Sequence, residues 1–191
     1  MSISNKEYGY NFSTKTSGDS KAYNDMEYGL AAASGANSIA ENDANYGTVV
    51  NTGFWGLANS TEKSDNSIAI STQNYSVATN SGNSSLAMSL GEKSLAENIG
   101  DNSKALNTGK EGKASVLGKN SVAMATGYKG RARGAIGCTI TLAEHSYPVD
   151  GESNILVIKS AIVDGIKIKS NMYYMLRDGE FEALDENCNL L

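Results

Sequence analysis

A chain of 191 residues with 40% hydrophobic residues, 20 Gly and a single Pro has room for one ordinary domain but too little apolar side-chain volume for a large conventional core. Its net charge of -5 weighs against a partner gripped by phosphate neutralisation, and so against nucleic acid. No stretch approaches the roughly 20 apolar residues of a membrane span, so membrane insertion is not expected.

The start, residues 1–19, lacks a basic segment followed by an apolar one. The chain therefore reads as soluble and cytoplasmic as synthesised, and as a virion or host-cytoplasm protein if a phage encodes it. Tyr10 suggests that degenerate repeat units begin at Ser2 and Asn11.

From Ser20 to Gly137 a nine-residue unit recurs. It holds a small residue, any residue, Ala, three variable residues, usually Gly, and two turn-like residues. The openers are Ser20, Gly29, Ser38, Gly47, Gly56, then Ser67 after a two-residue insertion, Ser76, Ser85, Ser94, Ser103, Gly112, Ser121 and Gly130. Two places on, Ala or Val recurs thirteen times, from Ala22 to Ala132. A fixed short period is the mark of a solenoid, and small residues at alternate places carry the period of a strand. The fold class is all-β: a parallel β-roll of nine-residue half-coils, eighteen residues per coil, followed by a small antiparallel β cap.

Residues eighteen apart should then stack. At the fourth place alternate units carry Ala32, Val50, Ile70, Met88, Leu106 and Met124, and the second place of the same units adds Leu30, Ile68, Leu86 and Val122. The intervening units carry Tyr23, Glu41, Asn59, Thr79, Glu97, Ser115 and Arg133 at the fourth place. One sheet is expected to be apolar on its outside and the other wet. An apolar stripe of that length exceeds the few hundred Å² that soluble monomers usually expose, so a second copy of the chain is the economical cover.

A ladder of Tyr10, Tyr28 and Tyr46, with Trp55 and Tyr75 at turns of the other sheet, suits either a binding surface or a corner closed by stacked rings. With Glu41 and Glu97 on the wet sheet, these are the candidate partner-binding residues.

After Gly137 the small-residue period stops. Residues 138–144, 154–163, 166–169, 172–176 and 180–184 read as strands of a second domain, 138–191, with Asp164-Gly165 and Asp178-Gly179 as hairpin turns. Such a cap would seal the last coil. Cys138 and Cys188 read as free thiols rather than as a bridge.

The chemistry of sites is thin. The turns lack the Gly-Gly-x-Gly-x-Asp pattern of calcium-binding rolls, His145 is the one histidine, and no phosphate loop survives inspection of Gly112-Lys113-Ala114. No metal, cofactor or catalytic residue is expected. Lys129, Arg131 and Arg133 suit an anion or a solvated junction.

The units Asn37-Ser38-Ile39-Ala40, Asn66-Ser67-Ile68-Ala69-Ile70 and Asn120-Ser121-Val122-Ala123-Met124 resemble the repeats of YadA-like trimeric autotransporter heads. The resemblance covers most of residues 20–137. It implies a left-handed roll, a homotrimer and binding to a host or other surface. Unlike that family, the chain is expected to be without a signal peptide, stalk and anchor. The C-terminal segment, with Val163-Asp164-Gly165-Ile166-Lys167-Ile168-Lys169, is similar to the tails of uncharacterised bacterial and phage repeat proteins.

The leading expectation is a non-enzymatic oligomeric β-roll that presents a repetitive surface to a protein or surface ligand, as a head domain or phage attachment protein does. The alternatives are an intracellular inhibitor of a host defence complex, encoded by a phage or mobile element, and a small-ligand binder or enzyme with its site at the roll–cap or subunit interface.

Overall fold

The computed structural model describes residues 19–150, 152–185 and 189–190, together with the backbone of 2–5 and 10–14. Among these residues there is no helix; the chain winds as a β-solenoid between two sheets.

In order across it, the first sheet contains Ser2–Asn5, Tyr10–Thr14, Leu30–Ser34, Thr48–Asn51, Ile68–Ser71, Leu86–Ser89, Lys104–Asn107, Val122–Ala125, Thr139–His145 and Ile155–Ile162. The second runs Lys21–Asn24, Ile39–Asn42, Leu57–Ser60, Val77–Asn80, Leu95–Asn98, Lys113–Val116, Arg131–Gly134, Tyr174–Arg177 and Glu180–Ala183. Successive strands alternate between the sheets, so pairing is between every second strand and is parallel from Tyr10 to His145.

The register follows from the repeat. Ala22, Ala40, Ala58, Ala78, Ala96, Ala114 and Ala132 stack in one column. Ala31, Val49, Ala69, Ala87, Ala105 and Ala123 stack in the other. All are buried. The two-residue insertion falls in the turn 61–66 and leaves the ladder in step, because Ser64 tucks its hydroxyl onto the Asn42 carbonyl at 3.0 Å.

Buried asparagines at the fifth place hold the turns. Asn107 donates from Nδ2 to the Ser94 carbonyl at 2.9 Å and to the Lys113 carbonyl at 3.2 Å, while its Oδ1 accepts the Gly109 N–H at 2.9 Å. Asn51 and Asn80 do the same work at their turns. Replacing Asn107 with Ala orphans a buried N–H and two carbonyls and opens a void. We expect a loss of about 3 kcal/mol in denaturant unfolding.

The last residue of every unit from Tyr28 to Lys129, the ninth except in the unit with the insertion, is left-handed, with φ between 53° and 58°. There the N–H reaches the next coil, as from Trp55 to the Asn74 carbonyl at 3.3 Å and from Lys93 to the Lys110 carbonyl at 2.8 Å. Asn suits this conformation, and Asn37, Asn66, Asn102 and Asn120 occupy it.

Both ends depart from the expected plan. Ser2–Asn5 is antiparallel to Tyr10–Thr14, so the start is a hairpin rather than a degenerate parallel unit. At the far end Thr139–His145 stacks in parallel on Val122–Ala125, so the coil continues past Gly137. The remaining strands add to both sheets: Ile155–Ile162 extends the first, and the hairpin Tyr174–Ala183 extends the second. The core widens here, from alanine to Ile140, Leu142, Val163, Tyr174 and Leu176. Gly134 makes room; a Cβ there would lie 3.0 Å from Cβ of Cys138.

Asp178-Gly179 forms the expected hairpin turn, both residues at positive φ. Residues 166–169, expected as a strand, are instead a bend. The Asp164 carboxylate accepts the N–H groups of Ile166, Lys167 and Ile168 at 2.8–3.0 Å, which satisfies locally the donors a strand would have spent on a neighbour. The N–H groups of Ile166, Ile168 and Lys167 hold that carboxyl below its ordinary range.

Candidate binding surfaces

The fourth-place row of the first sheet is continuous. Ala32 pairs with Val50, Val50 with Ile70, Ile70 with Met88, Met88 with Leu106 and Leu106 with Met124. Each points away from the alanine column, half-buried by its neighbours in the row. The second-place row is interrupted: Leu30, Ile68, Leu86 and Val122 share it with Thr48 and with exposed Lys104.

The fourth-place row ends its apolar run at Met124, whose register neighbours are Thr141 and then Ser160; apolar side chains return on the edge strand, where Ile162 pairs with Thr139 and Ile158 with Ala143. Ile155, Leu156, Ile158 and Ile162 are all more than half exposed. The edge strand was foreseen, but its exposed apolar side chains were not, because the nine-residue period that locates the face ends before it.

The second sheet is wet only in part. Its fourth-place row is polar from Glu41 onward and paired: Glu41 lies 2.6 Å from Nζ of the second-place Lys21, Thr79 donates to Asn59 at 2.7 Å, and Arg133 reaches Glu97 at 3.0 Å and Ser115 at 2.9 Å. Its second-place row is apolar over four strands, Ile39, Leu57, Val77 and Leu95 stacked in register, with Lys21 before them and Lys113 and Arg131 after. The expectation of a uniformly wet sheet is corrected accordingly. Glu41 and Glu97 stand on separate strands, each already engaged by a cation.

The aromatic candidates occupy opposite corners. Tyr28 and Tyr46 stack with ring centroids 4.9 Å apart and planes 10° from parallel. Tyr10 does not extend that ladder in the backbone register: it pairs with Leu30, because this coil carries twenty residues rather than eighteen. At the other corner Trp55 and Tyr75 lie 6.1 Å apart, joined by Phe54 at 4.9 and 5.6 Å, with Lys93 5.8 Å above Tyr75. Phe54 was missed because it sits at the eighth place, one before the ladder. Trp55 is 57% exposed. The left-handed backbone under these rings belongs to the corner, since Lys93, Glu111 and Lys129 adopt it too.

A cleft of about 650 Å³ opens where the last coil meets the C-terminal hairpin, lined among others by Tyr128, Lys129, Arg131, His145, Met175 and Arg177. His145 contacts the Thr126 carbonyl through Nε2 at 2.8 Å; a carbonyl only accepts, so the proton is on Nε2. Cys138 is a buried free thiol whose Sγ donates to the Gly118 carbonyl at 3.0 Å. The two therefore have separate partners. Cys188 lies outside the described residues. Among the described residues no three His, Cys, Asp or Glu side chains converge as metal ligands, and no helix is long and apolar enough to cross a membrane.

Comparisons with protein-family models, with curated proteins and with solved structures found no match for this chain.

Proposed function

We propose that this chain is a non-enzymatic β-roll that assembles with copies of itself through the outer face of its first sheet and offers its corners to a macromolecular partner. The observation that carries this reading is the unbroken row from Ala32 to Met124, which no strand among the described residues covers. Leaving such a row in water forfeits roughly 25 cal/mol for each Å² of apolar surface that a partner would bury. Its flatness, set by one residue per coil in strict register, suits a second copy of the same face.

The likeness of the units around Ser38, Ser67 and Ser121 to trimeric autotransporter heads makes three copies around an axis the expected arrangement. With that face inside, the aromatic corners and the second sheet's polar row remain outside. Trp55, Tyr75 and Phe54 form the larger of the two exposed aromatic groups and the expected contact for a protein or surface ligand.

The test is the absolute mass in solution by light scattering after size exclusion, with the 20.1 kDa chain as the unit. Three chains per particle is the expected result. A stable monomer overturns the assembly and makes the Met88 and Leu106 row itself the place where a different protein binds.

A further inference from the structure

The cleft at the end of the roll has a chemistry that the proposed assembly does not use. Its walls are fixed by two backbone-directed contacts. Glu144 accepts the N–H groups of Asp178 and Gly179 at 2.9 and 2.8 Å, which ties the hairpin turn to the end of the strand Thr139–His145. On the other side His145 holds the Thr126 carbonyl and meets the Tyr128 ring edge-on, with centroids 6.1 Å apart.

Three cations line the space between, Lys129, Arg131 and Arg177, together with two carboxylates, Asp178 and the Glu144 already engaged by the hairpin turn. Arg177 has a carboxylate, Glu182, at 3.8 Å. Lys129 and Arg131 have no carboxylate within ion-pair distance among the described residues. Lys129 Nζ instead lies 5.5 Å over the Tyr128 ring. The Arg131 Nε is buried and has no hydrogen-bond partner among the described residues. A desolvated guanidinium N–H left unpaired costs stability, and such groups in native structures call for an explanation.

We infer that this cleft binds a phosphate monoester carrying an apolar or aromatic group. Two unpaired cations match one dianion, and the fork of Arg131 is the side-chain geometry best suited to phosphate oxygens. The apolar part of the ligand meets Leu156 and Met175 on the same lining. A volume near 650 Å³ is that of a small-molecule site. On a chain of net charge -5 this concentration of unpaired positive charge is local. It uses neither the row from Ala32 to Met124 nor the aromatic rings of the corners.

The experiment is a calorimetric titration of the full chain with phenyl phosphate, with benzoate as the monoanionic comparison. Saturable binding of one phenyl phosphate per chain is expected, tighter than benzoate. Arg131→Gln and Lys129→Gln are each expected to weaken it about tenfold, the size of a lost charge-assisted hydrogen bond. Arg131→Lys, which keeps the charge but not the fork, recovers part of the loss, and Lys119→Gln at the opposite corner changes nothing. If Arg131→Gln does not fold, Lys129→Gln on its exposed turn carries the test.

Absence of saturation at millimolar phenyl phosphate overturns the inference, as does undiminished affinity in both Gln variants. Equal affinity for benzoate overturns the assignment to phosphate. None of these results bears on the mass of the assembly, so the two proposals fail separately.

Discussion

Gly109→Ala is expected to lower stability by about 3 kcal/mol, or the melting temperature by roughly 10 °C for a chain of this length. A Cβ at Gly109 would lie 1.9 Å from the Gly91 carbonyl oxygen and 2.6 Å from its carbon, both backbone atoms of the preceding coil. Neither can rotate away. Relief requires the coils to separate at that corner, where the Thr108 N–H reaches Ser89 at 3.2 Å and the Glu111 N–H reaches Tyr128 at 2.7 Å. The same contact recurs at Gly100 against Gly82, Gly118 against Gly100 and Gly127 against Gly109.

Gly137→Ala separates this steric cost from a conformational one. Nothing lies within 4 Å of a Cβ at Gly137, but its φ is +83°. About 1 kcal/mol is expected there. Urea unfolding followed by circular dichroism reads both variants. Equal losses would mean that coil spacing is not what requires glycine at the seventh place.

The sequence also shows where this constraint relaxes. Met26, Ala44, Gln73 and Ile136 stand at the seventh place of other units, whereas the six consecutive units from Ser76 to Lys129 carry Gly82, Gly91, Gly100, Gly109, Gly118 and Gly127 there. Spacing alone therefore disclosed the coil, the register and the alanine columns, because each depends on identity repeated eighteen residues apart.

Features not marked by a repeated residue identity were not legible. The left-handed ninth place hides behind Tyr28, Trp55, Lys93 and Glu111, residues that do not advertise positive φ. Tyr10 is displaced from its ladder by two extra residues in one coil. The row Ile39, Leu57, Val77 and Leu95 is masked in the sequence because the fourth place of the same strands carries Glu41, Asn59, Thr79 and Glu97. Lys129 and Arg131 were visible as a basic cluster, but only the fold sets them against His145 and Arg177, 14 and 46 residues beyond Arg131 in sequence.

Leu106→Glu separates the energetics of the roll from those of its assembly. In a single chain the new carboxylate stands on a sheet surface, half-buried between Met88 and Met124, and reaches water. The cost to folding is small, about half a kcal/mol. In the assembly it is buried at each of the joined faces, where an unpaired charge costs several kcal/mol. The expected result is an unchanged far-UV spectrum and a mass that falls to one chain.

Lys104, two residues away on the same face, offers the new carboxylate a partner, so Ile70→Glu is the confirming variant; the strand Leu86–Ser89 separates it from that lysine. The reference substitution must lie off both sheets. Glu97→Lys is unsuitable, because it would place a lysine against Arg133, now 3.0 Å from the Glu97 carboxylate. Lys119→Glu, exposed at a corner, is expected to retain the full mass. Should Leu106→Glu and Ile70→Glu both keep the mass of the unaltered protein, the first sheet is not the joint between chains, and the edge strand Ile155–Ile162, with its exposed Ile158 and Ile162, becomes the surface to alter next.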